Sequence, residues 1–434
     1  MITAKAWAGK HYAVYGLARS GLATVRALLA SGARVTAWDE REEARAQAGG
    51  AELLDLNTAD FSLFDSLVVS PGVPLNTHPL AARARAASLE IIGDIELFAR
   101  ARPELPPHKV VGITGTNGKS TTTALVHHIL RTAGVPTTMG GNIGLPILAQ
   151  DPLPEGGVYV LELSSFQIDL TQSLDCDVAV LLNITPDHLD RYESFEAYAA
   201  SKARLLQMQS PRSLALYPWE LAYSGLLPDP YRQGGGHLKA IQELERNSGR
   251  DWPALQGPHN RQNAAAAWDV VKILSGRFNL PINDTLAFFE GCRTYPGLPH
   301  RMERVREHDG VVFINDSKAT NPEAAAPALA AYPRVRWIVG GQAKTKDLGD
   351  TAKHLDHVDH AYTIGEAGPM FAQLLRAADV HVTECETLEN AVKRAAADSQ
   401  AGDVVLLSPA CASFDQFRDF EARGDAFKAL VGDL

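Results

Sequence analysis

The chain has 434 residues, 45% of them hydrophobic, a formal net charge of −10 and four cysteines. That length exceeds what one hydrophobic core usually serves and predicts two or three domains. The acidic balance excludes a general nucleic-acid or anionic-membrane binder and leaves room for local basic pockets around a small anion. Cys176, Cys292, Cys385 and Cys411 lack metal-ligand spacing and read as free thiols of a reducing compartment. The start, Met1-Ile2-Thr3-Ala4-Lys5, has no signal-peptide core, and no run reaches membrane-spanning length, so a cytoplasmic enzyme is expected.

In chain order, Tyr12-Ala13-Val14-Tyr15 reads as a strand, Gly16-Leu17-Ala18-Arg19-Ser20-Gly21 as a glycine turn, and the run through Leu28 and Leu29 as a helix. A second strand, Arg34-Val35-Thr36-Ala37-Trp38, ends in Asp39. This is the layout of a dinucleotide-binding βαβ unit. Ala18 stands where the fingerprint has the glycine that meets a pyrophosphate, so a βαβ unit whose glycines only shape the turn fits equally well. Leu67-Val68-Val69 then runs into Ser70-Pro71-Gly72, a third turn at the same sheet edge. A Pro-rich stretch at 102–107 marks a boundary at or just before it, and the expected domains are 1–97, 98–298 and 299–434.

Val110-Val111 leads into Gly112-Ile113-Thr114-Gly115-Thr116-Asn117-Gly118-Lys119-Ser120-Thr121, followed by the helical pattern of Ala124, Leu125, Ile129 and Leu130. A strand-to-helix turn of this kind aims unpaired N–H groups and the positive helix end at one point, where a phosphate fits. Lys119 adds a charge for the outer phosphates and Ser120 a hydroxyl for Mg²⁺. Ile113 occupies the first-glycine position of the strict P-loop; the plain alternative is a tight turn with a solvated lysine.

Val158-Tyr159-Val160-Leu161 ends in Glu162, and Val178-Ala179-Val180-Leu181-Leu182 runs out into Asn183-Ile184-Thr185-Pro186-Asp187-His188. Ligands collect at the carboxyl ends of parallel strands, which is where Thr114, Glu162 and His188 emerge. Glu162 suits Mg²⁺ there; His188 either joins the site or packs its own loop. In the helical stretch 194–206, Phe195, Tyr198, Ala199, Leu205 and Leu206 share a face with Lys202, a lysine that is either functional or snorkels out to water.

From 211 to 258 the pattern weakens, with Gly234-Gly235-Gly236 in its middle, and predicts loops and short strands without chemistry. His259-Asn260-Arg261-Gln262-Asn263 precedes a helix expected from Ala264, with Asn260 and Asn263 placed either to face a nucleotide or to cap. The last third alternates strand and helix. Its strands end in Asn315-Asp316-Ser317-Lys318-Ala319-Thr320-Asn321, in Gly340-Gly341-Gln342-Ala343-Lys344 and in Ser408-Pro409-Ala410-Cys411-Ala412-Ser413. Lys318, Thr320, Lys344 and Ser413 at one edge make a pocket for a small carboxylate. Cys411 has no histidine beside it and reads as a small buried thiol.

Taken together, the phosphate loop, Gly141-Asn142-Ile143-Gly144, Glu162-Leu163-Ser164-Ser165-Phe166-Gln167, Asp187-His188 with Asp190-Arg191, His259-Asn260, His300-Arg301-Met302-Glu303 and the last two strand-end segments resemble the Mur ligases of peptidoglycan synthesis. The resemblance runs from the first strand to the last helix. It implies an α/β chain of three domains: Rossmann-like, a P-loop-type ATPase with a mostly parallel sheet, and Rossmann-like again. The segments 315–321 and 408–413 point to the branch that adds D-glutamate to UDP-N-acetylmuramoyl-L-alanine with ATP, through an acyl phosphate. Residue by residue it implies ATP on Gly115, Thr116, Asn117, Gly118, Lys119, Ser120, Thr121, Asn260, Asn263, Arg301 and Asp316, and two Mg²⁺ sites served by Ser120, Glu162, His188 and a CO₂-derived carbamate on Lys202. The UDP substrate falls to Gly16, Leu17, Ala18, Arg19, Asp39, Glu40, Arg41, Ser70, Pro71, Gly72, Asn142 and His188, and D-glutamate to Lys318, Thr320, Lys344, Ser413 and Phe420. Lys119, His188 and Lys202 are the implied catalytic residues, and the enzyme is expected to be a monomer whose domains close on their ligands.

Two rivals from other classes remain, an ATP-driven switch and an NAD-dependent dehydrogenase built on the first domain; within the ligase class the nearest alternative is a folate polyglutamate ligase. Each predicts a different substrate dependence of ATP or nicotinamide turnover.

Overall fold

The computed structural model describes every residue except 189, 224, 226–236 and 245–250; the expected glycine run Gly234-Gly235-Gly236 therefore lies outside the described residues. Three sheets follow one another along the chain. The first contains β1 (His11–Tyr15), β2 (Arg34–Trp38), β3 (Glu52–Leu53), β4 (Ser66–Val69) and β5 (Ile91–Ile92) in the spatial order β3-β2-β1-β4-β5, all parallel. The second contains β6 (His108–Thr114), β7 (Thr137–Gly141), β8 (Gly157–Glu162), β9 (Val178–Leu181), β10 (Leu214–Tyr217) and β11 (His237–Ala240), ordered β11-β10-β9-β6-β8-β7 and again all parallel. In the third, β12 (Glu303–His308) pairs antiparallel with β13 (Val311–Asn315). Parallel strands β17 (Val404–Leu407), β14 (Val335–Gly340), β15 (Val358–Ile364) and β16 (Val382–Glu386) then complete the order β12-β13-β17-β14-β15-β16.

The chain forms two compact units. One comprises Met1–Glu243 with Ala265–Gly291 and holds the first two sheets; the other comprises Leu244–Ala264 with Cys292–Leu434 and holds the third. The strands are short, near-continuous apolar runs because both faces of a parallel sheet are covered. In β6, Val110, Val111 and Ile113 have no exposed surface, and Leu125, Val126, Ile129 and Leu130 of the helix Lys119–Thr132, which packs on β6, β7 and β8, are equally buried. The third sheet separates two cores, one around Trp337, Phe371 and Leu406, the other around Phe313, Tyr362 and Phe427.

Within the first unit, the two sheets meet along a seam whose one end is held by a buried carboxylate. Glu96, 1% exposed, accepts the N–H groups of Gln172 and Ser173 at 2.7 and 2.9 Å, the Ser173 hydroxyl, and Arg100. The Gly93 N–H donates to Leu170 O nearby. Parallel topology then fixes the geometry that matters: all carboxyl ends of a sheet lie on one edge, so loops far apart in sequence are delivered to the same place.

Candidate active site

The loop after β6 is the centre of the first unit. Gly118, the residue before the helix Lys119–Thr132, adopts φ 82°, a left-handed conformation that glycine takes without strain. Polar cross-links hold the turn open. Asn117 gives its N–H to Asn183 Oδ1 at 2.8 Å and takes the Asn183 amide on its carbonyl at 3.0 Å. Thr116 Oγ1 donates to Thr185 O, accepts the Thr185 N–H, and lies 3.1 Å from the Tyr198 hydroxyl. Asn183 and Thr185 were visible in the sequence only as polar residues after a strand; their use here depends on partners some 66 to 69 positions away.

Two ammonium groups converge on this loop. Lys119 Nζ donates to Gly115 O and Thr116 O, both at 2.8 Å. Lys202, carried by the helix Phe195–Gln207, donates to the same Gly115 carbonyl at 2.9 Å. Lys202 is 2% exposed and its Nζ lies 4.7 Å above the Tyr198 ring; its side chain does not snorkel to water. Burial, with Lys119 nearby, pulls its ammonium down from 10.5 to about 7. Glu162, at the end of β8, is equally buried; Oε1 accepts Asn142 Nδ2 at 2.9 Å, and Oε2 is buried without a hydrogen-bond partner. A buried acceptor left unmatched costs free energy, so its retention points to a ligand that completes it. Among the described residues, no three His, Cys, Asp or Glu side chains cluster to hold a metal by themselves. Ser120 is buried at the helix start, and Thr121 is partly buried beside it.

His188 sits in the loop after β9 with φ 53°. Its Nε2 lies 3.5 Å from Asp187 Oδ2, and its ring meets Phe166 and Tyr198 edge to face at 5.0 and 6.1 Å. Through Tyr198 it joins the cluster that includes Thr116 and Lys202. Asn142 joins through Glu162, whose carbonyl also takes the Asn142 N–H.

The three turns expected in the first sheet share its carboxyl edge and are bonded to one another. Asp39 takes the Leu17 N–H on Oδ2 at 2.7 Å and the Arg41 N–H on Oδ1 at 3.0 Å, and Ser70 Oγ donates to Gly16 O at 2.7 Å. Burial opposes ionisation of Asp39, but the bonds from Arg41 and Leu17 outweigh it and hold the carboxyl below its usual range. Both oxygens are thus engaged within the turns, which is a different use from the ribose contact of a dinucleotide fold. Glu40, exposed, is aimed by Tyr15, whose hydroxyl donates at 2.6 Å, and by Asn57 at 2.9 Å; these bonds lower its carboxyl. Ala18 precedes the helix Arg19–Ala30 in extended conformation, Arg19 donates to Gly144 O, Pro71 is half-buried and Gly72 exposed.

In the second unit, Asp316 follows β13. Burial pushes its carboxyl up to about 7, although Ser408 Oγ donates to Oδ2 at 2.7 Å and the Met302 N–H to Oδ1 at 3.2 Å. Arg301, half-buried, contributes charge to it. Lys318 Nζ lies 3.8 Å above the ring of Phe420, the first residue of the helix Phe420–Gly432; Ser413 is buried, Thr320 half-buried and Lys344 exposed in the same set of loops. The helix expected from Ala264 begins earlier, at Pro258, so Asn260 and Asn263 lie inside it. There Asn260 Nδ2 donates to Gln256 O and Asn263 Nδ2 to Asn260 Oδ1 at 3.1 Å, which joins them to each other rather than to Asp316.

Sequence reasoning missed Arg423. It is 1% exposed and donates to Ser317 Oγ, Ser317 O, Cys411 O and Ala412 O, knitting the loops after β13 and β17 to the last helix. Burial lowers its guanidinium to about 10. Next to it, a Cβ at Gly424 would come within 2.1 Å of His300 Nδ1, so glycine lets the helix approach that closely. Cys411 is buried with its thiol pushed up to about 12 by burial, as a packing residue rather than a nucleophile would be.

Comparison with known proteins gives the following. Residues 10–93 match the Mur ligase MurD-like N-terminal domain, 113–227 the Mur ligase middle domain, and 300–411 the Mur ligase glutamate ligase domain. The UDP-N-acetylmuramoylalanine–D-glutamate ligase of Novosphingobium aromaticivorans is 57% identical over 438 residues, covering 99% of this chain and 96% of that protein. The enzyme of the same name from Sphingopyxis alaskensis is 56% identical over 446 residues, covering 99% of both chains. Among solved structures, the MurF ligase of Thermotoga maritima in complex with ADP superposes with a TM-score of 0.59 at 16% identity, over 99% of this chain and 97% of that one, a likeness of fold.

Proposed function

The chain belongs to the Mur ligase family, and from that membership and the phosphate-loop edge of the first unit we propose that it is an ATP-dependent ligase joining D-glutamate to UDP-N-acetylmuramoyl-L-alanine, with ADP and phosphate as by-products, in peptidoglycan precursor synthesis. The observation that carries the reading is the convergence of the buried Lys202 and the half-buried Lys119 on the Gly115 carbonyl, with the buried Glu162 at the end of the neighbouring strand.

A carboxylate is a poor acyl donor, because its leaving oxygen is too basic and its charge repels nucleophiles. Phosphorylation removes both obstacles. The L-alanyl carboxylate oxygen attacks the γ-phosphorus of ATP, forming a P–O bond as the bond to ADP breaks. Lys119, released from the loop carbonyls, neutralises charge on the transferring oxygens. The D-glutamate amine then attacks the acyl carbon; the C–N bond forms, phosphate leaves, and the amine proton passes to a base such as His188 or a phosphate oxygen. Lys318, Thr320, Lys344, Ser413 and the backbone at Phe420 receive D-glutamate. Asn260, Asn263, Arg301 and Asp316 serve the nucleotide, the glycine turn with Thr116, Asn117 and Thr121 cradles its phosphates, and the three turns of the first sheet, with Asn142 and His188, hold the UDP substrate.

The unmatched Oε2 of Glu162 fits a divalent cation, with Ser120, His188 and a carbamylated Lys202 as further donors. Such a cation, bound there, supplies charge neutralisation at the phosphates. Lys202 is suited to the modification: held near neutrality by burial, its amine adds to CO₂ with loss of one proton, replacing a cation beside Lys119 by an anion. Among the described residues no helix is long and apolar enough to cross a membrane, and the reading is of a cytoplasmic monomer divided at 1–97, 98–298 and 299–434, one sheet to each segment.

The acyl phosphate is open to a direct test. With ¹⁸O in the alanyl carboxylate of the substrate, the released phosphate should carry one ¹⁸O. Phosphate without label would overturn the mechanism.

A further inference from the structure

We infer that Arg191 and Asn76 are positioning residues that fasten the His188 loop to the third turn of the first sheet, so that substrate held at that turn is presented to His188 in fixed register. The inference rests on the proposed function, since it concerns where the UDP substrate and His188 meet.

Two bonds cross the seam in opposite directions between the same two segments. Arg191, three residues after His188, donates through Nη2 to Val73 O at 3.0 Å, directly beyond Ser70-Pro71-Gly72. Asn76, from that same segment, donates through Nδ2 to Asp190 O at 3.2 Å. Arg191 is further held by its guanidinium carbon lying 4.2 Å above the Phe166 ring, which in turn stacks on Tyr192 and meets the His188 ring. Phe166 sits four residues beyond Glu162, so the strap also reaches the buried carboxylate through a short helix.

Packing sets this spacing only in part: Leu170 is buried against the core of the first sheet, but beside it the seam opens. A cavity of about 300 Å³ opens between the two segments, lined in part by Pro71, Val73, Asn76, Phe166, Arg191 and Tyr192. A close-packed seam would hold its spacing by van der Waals contact; where this one is open, the two polar straps span it and complement the Glu96 anchor. A parallel tie, Arg19 to Gly144 O, joins the first turn to the Asn142 loop. Both loops expected to meet the muramoyl end are thus fastened to turns expected to meet the UDP end, which makes the edge a fixed-length gauge. Small misplacement at such a site is costly, because reacting atoms must be held within a few tenths of an ångström.

The test compares Arg191→Met, Arg191→Lys and Asn76→Ala with the wild type in steady-state kinetics, with each substrate varied in turn. Arg191→Met should raise KM for the UDP substrate roughly tenfold and lower kcat several-fold, leaving KM for ATP within about twofold. Arg191→Lys, which keeps the charge and loses the planar stack, should fall between. Asn76 is exposed, so its alanine variant folds, and it should show the same pattern at about a third of the size. In each variant, hydrogen exchange in segment 184–194 should be faster than in the wild type, with the Glu96 end unchanged. UDP-substrate KM values equal to wild type, or KM values for ATP and the UDP substrate that move by the same factor, would overturn the inference. A wild-type protein that does not consume the UDP substrate would instead defeat the functional reading; hydrogen exchange that stays unchanged would still overturn the straps.

Discussion

The carboxyl edges of the second and third sheets are built from the same parts, short buried strands delivering polar loops, yet they treat their charges in opposite ways. At the phosphate loop, two lysines crowd one carbonyl and a buried glutamate oxygen has no partner. Around the last helix, the buried Arg423 spends its donors on three loop carbonyls and a hydroxyl, and Asn315 Nδ2 bonds Glu303, Gly424 O and His300. The first edge holds groups whose needs a ligand must complete; at the second, Arg423 and Asn315 are matched within the fold and brace the loops that carry Lys318 and Ser413. At these two edges the unmatched Glu162 oxygen falls where a ligand is expected, and the matched Arg423 falls in the frame.

Substitutions should separate the two edges. At the unfinished edge, Lys202→Met or Glu162→Gln should cut kcat by roughly 10²–10³ with the thermal midpoint little changed, since each keeps the buried bulk of the side chain and removes the group the proposed ligands need. Phosphate release and calorimetry on the same samples check both halves; a wild-type carbamate signal in ¹³C NMR after ¹³CO₂ labelling, absent from Lys202→Met, would sharpen the case. At the second edge the balance reverses. Arg423→Met takes the guanidinium donors from the carbonyls of Ser317 and Cys411, while Ala412 O keeps the Gln342 N–H, and should cost about 3–4 kcal/mol, read as a lowered urea midpoint for the second unit.

Asp316 tests the boundary between the two cases, because it is buried and hydrogen-bonded yet its carboxyl is pushed up to about 7. Between the ordinary carboxylate range and that value the folded chain holds the proton more tightly than the unfolded one. Its contribution to stability is therefore present at low pH and is lost as pH rises through about 7. Asp316→Asn should remove up to about 1.4 kcal/mol per pH unit of slope across that window, so the variant gains on the wild type from pH 5 to pH 8 in thermal melts. The smallest effect belongs to Tyr15→Phe, which takes one donor from Glu40 and should raise the UDP-substrate KM about two- to fivefold at unchanged kcat.

What the sequence made legible follows from the range of the forces involved. Strand ends were readable, because an apolar run that stops at Glu162, Asp39 or Asn315 announces a buried strand reaching a loop. The phosphate turn was readable from its glycines and Lys119. Lys202 stood out as a cation on an apolar face, but only the fold decides that it reaches Gly115 O and stays buried. Arg423 was not readable: in Glu421-Ala422-Arg423-Gly424-Asp425 it looks like a solvated helix residue, and its partner Ser317 is 106 positions away. Asn183 and Glu96 were hidden for the same reason. The helix start at Pro258, six residues before the expected Ala264, shows proline in the first turn where its missing N–H costs nothing.

The measurement that tests the account most directly is phosphate release from ATP and Mg²⁺ with UDP-N-acetylmuramoyl-L-alanine, run with D-glutamate, with L-glutamate and with neither. Release that requires the UDP substrate and D-glutamate and is not supported by L-glutamate is the predicted result. Release indifferent to both substrates would contradict the ligase reading and describe an ATP-driven switch instead.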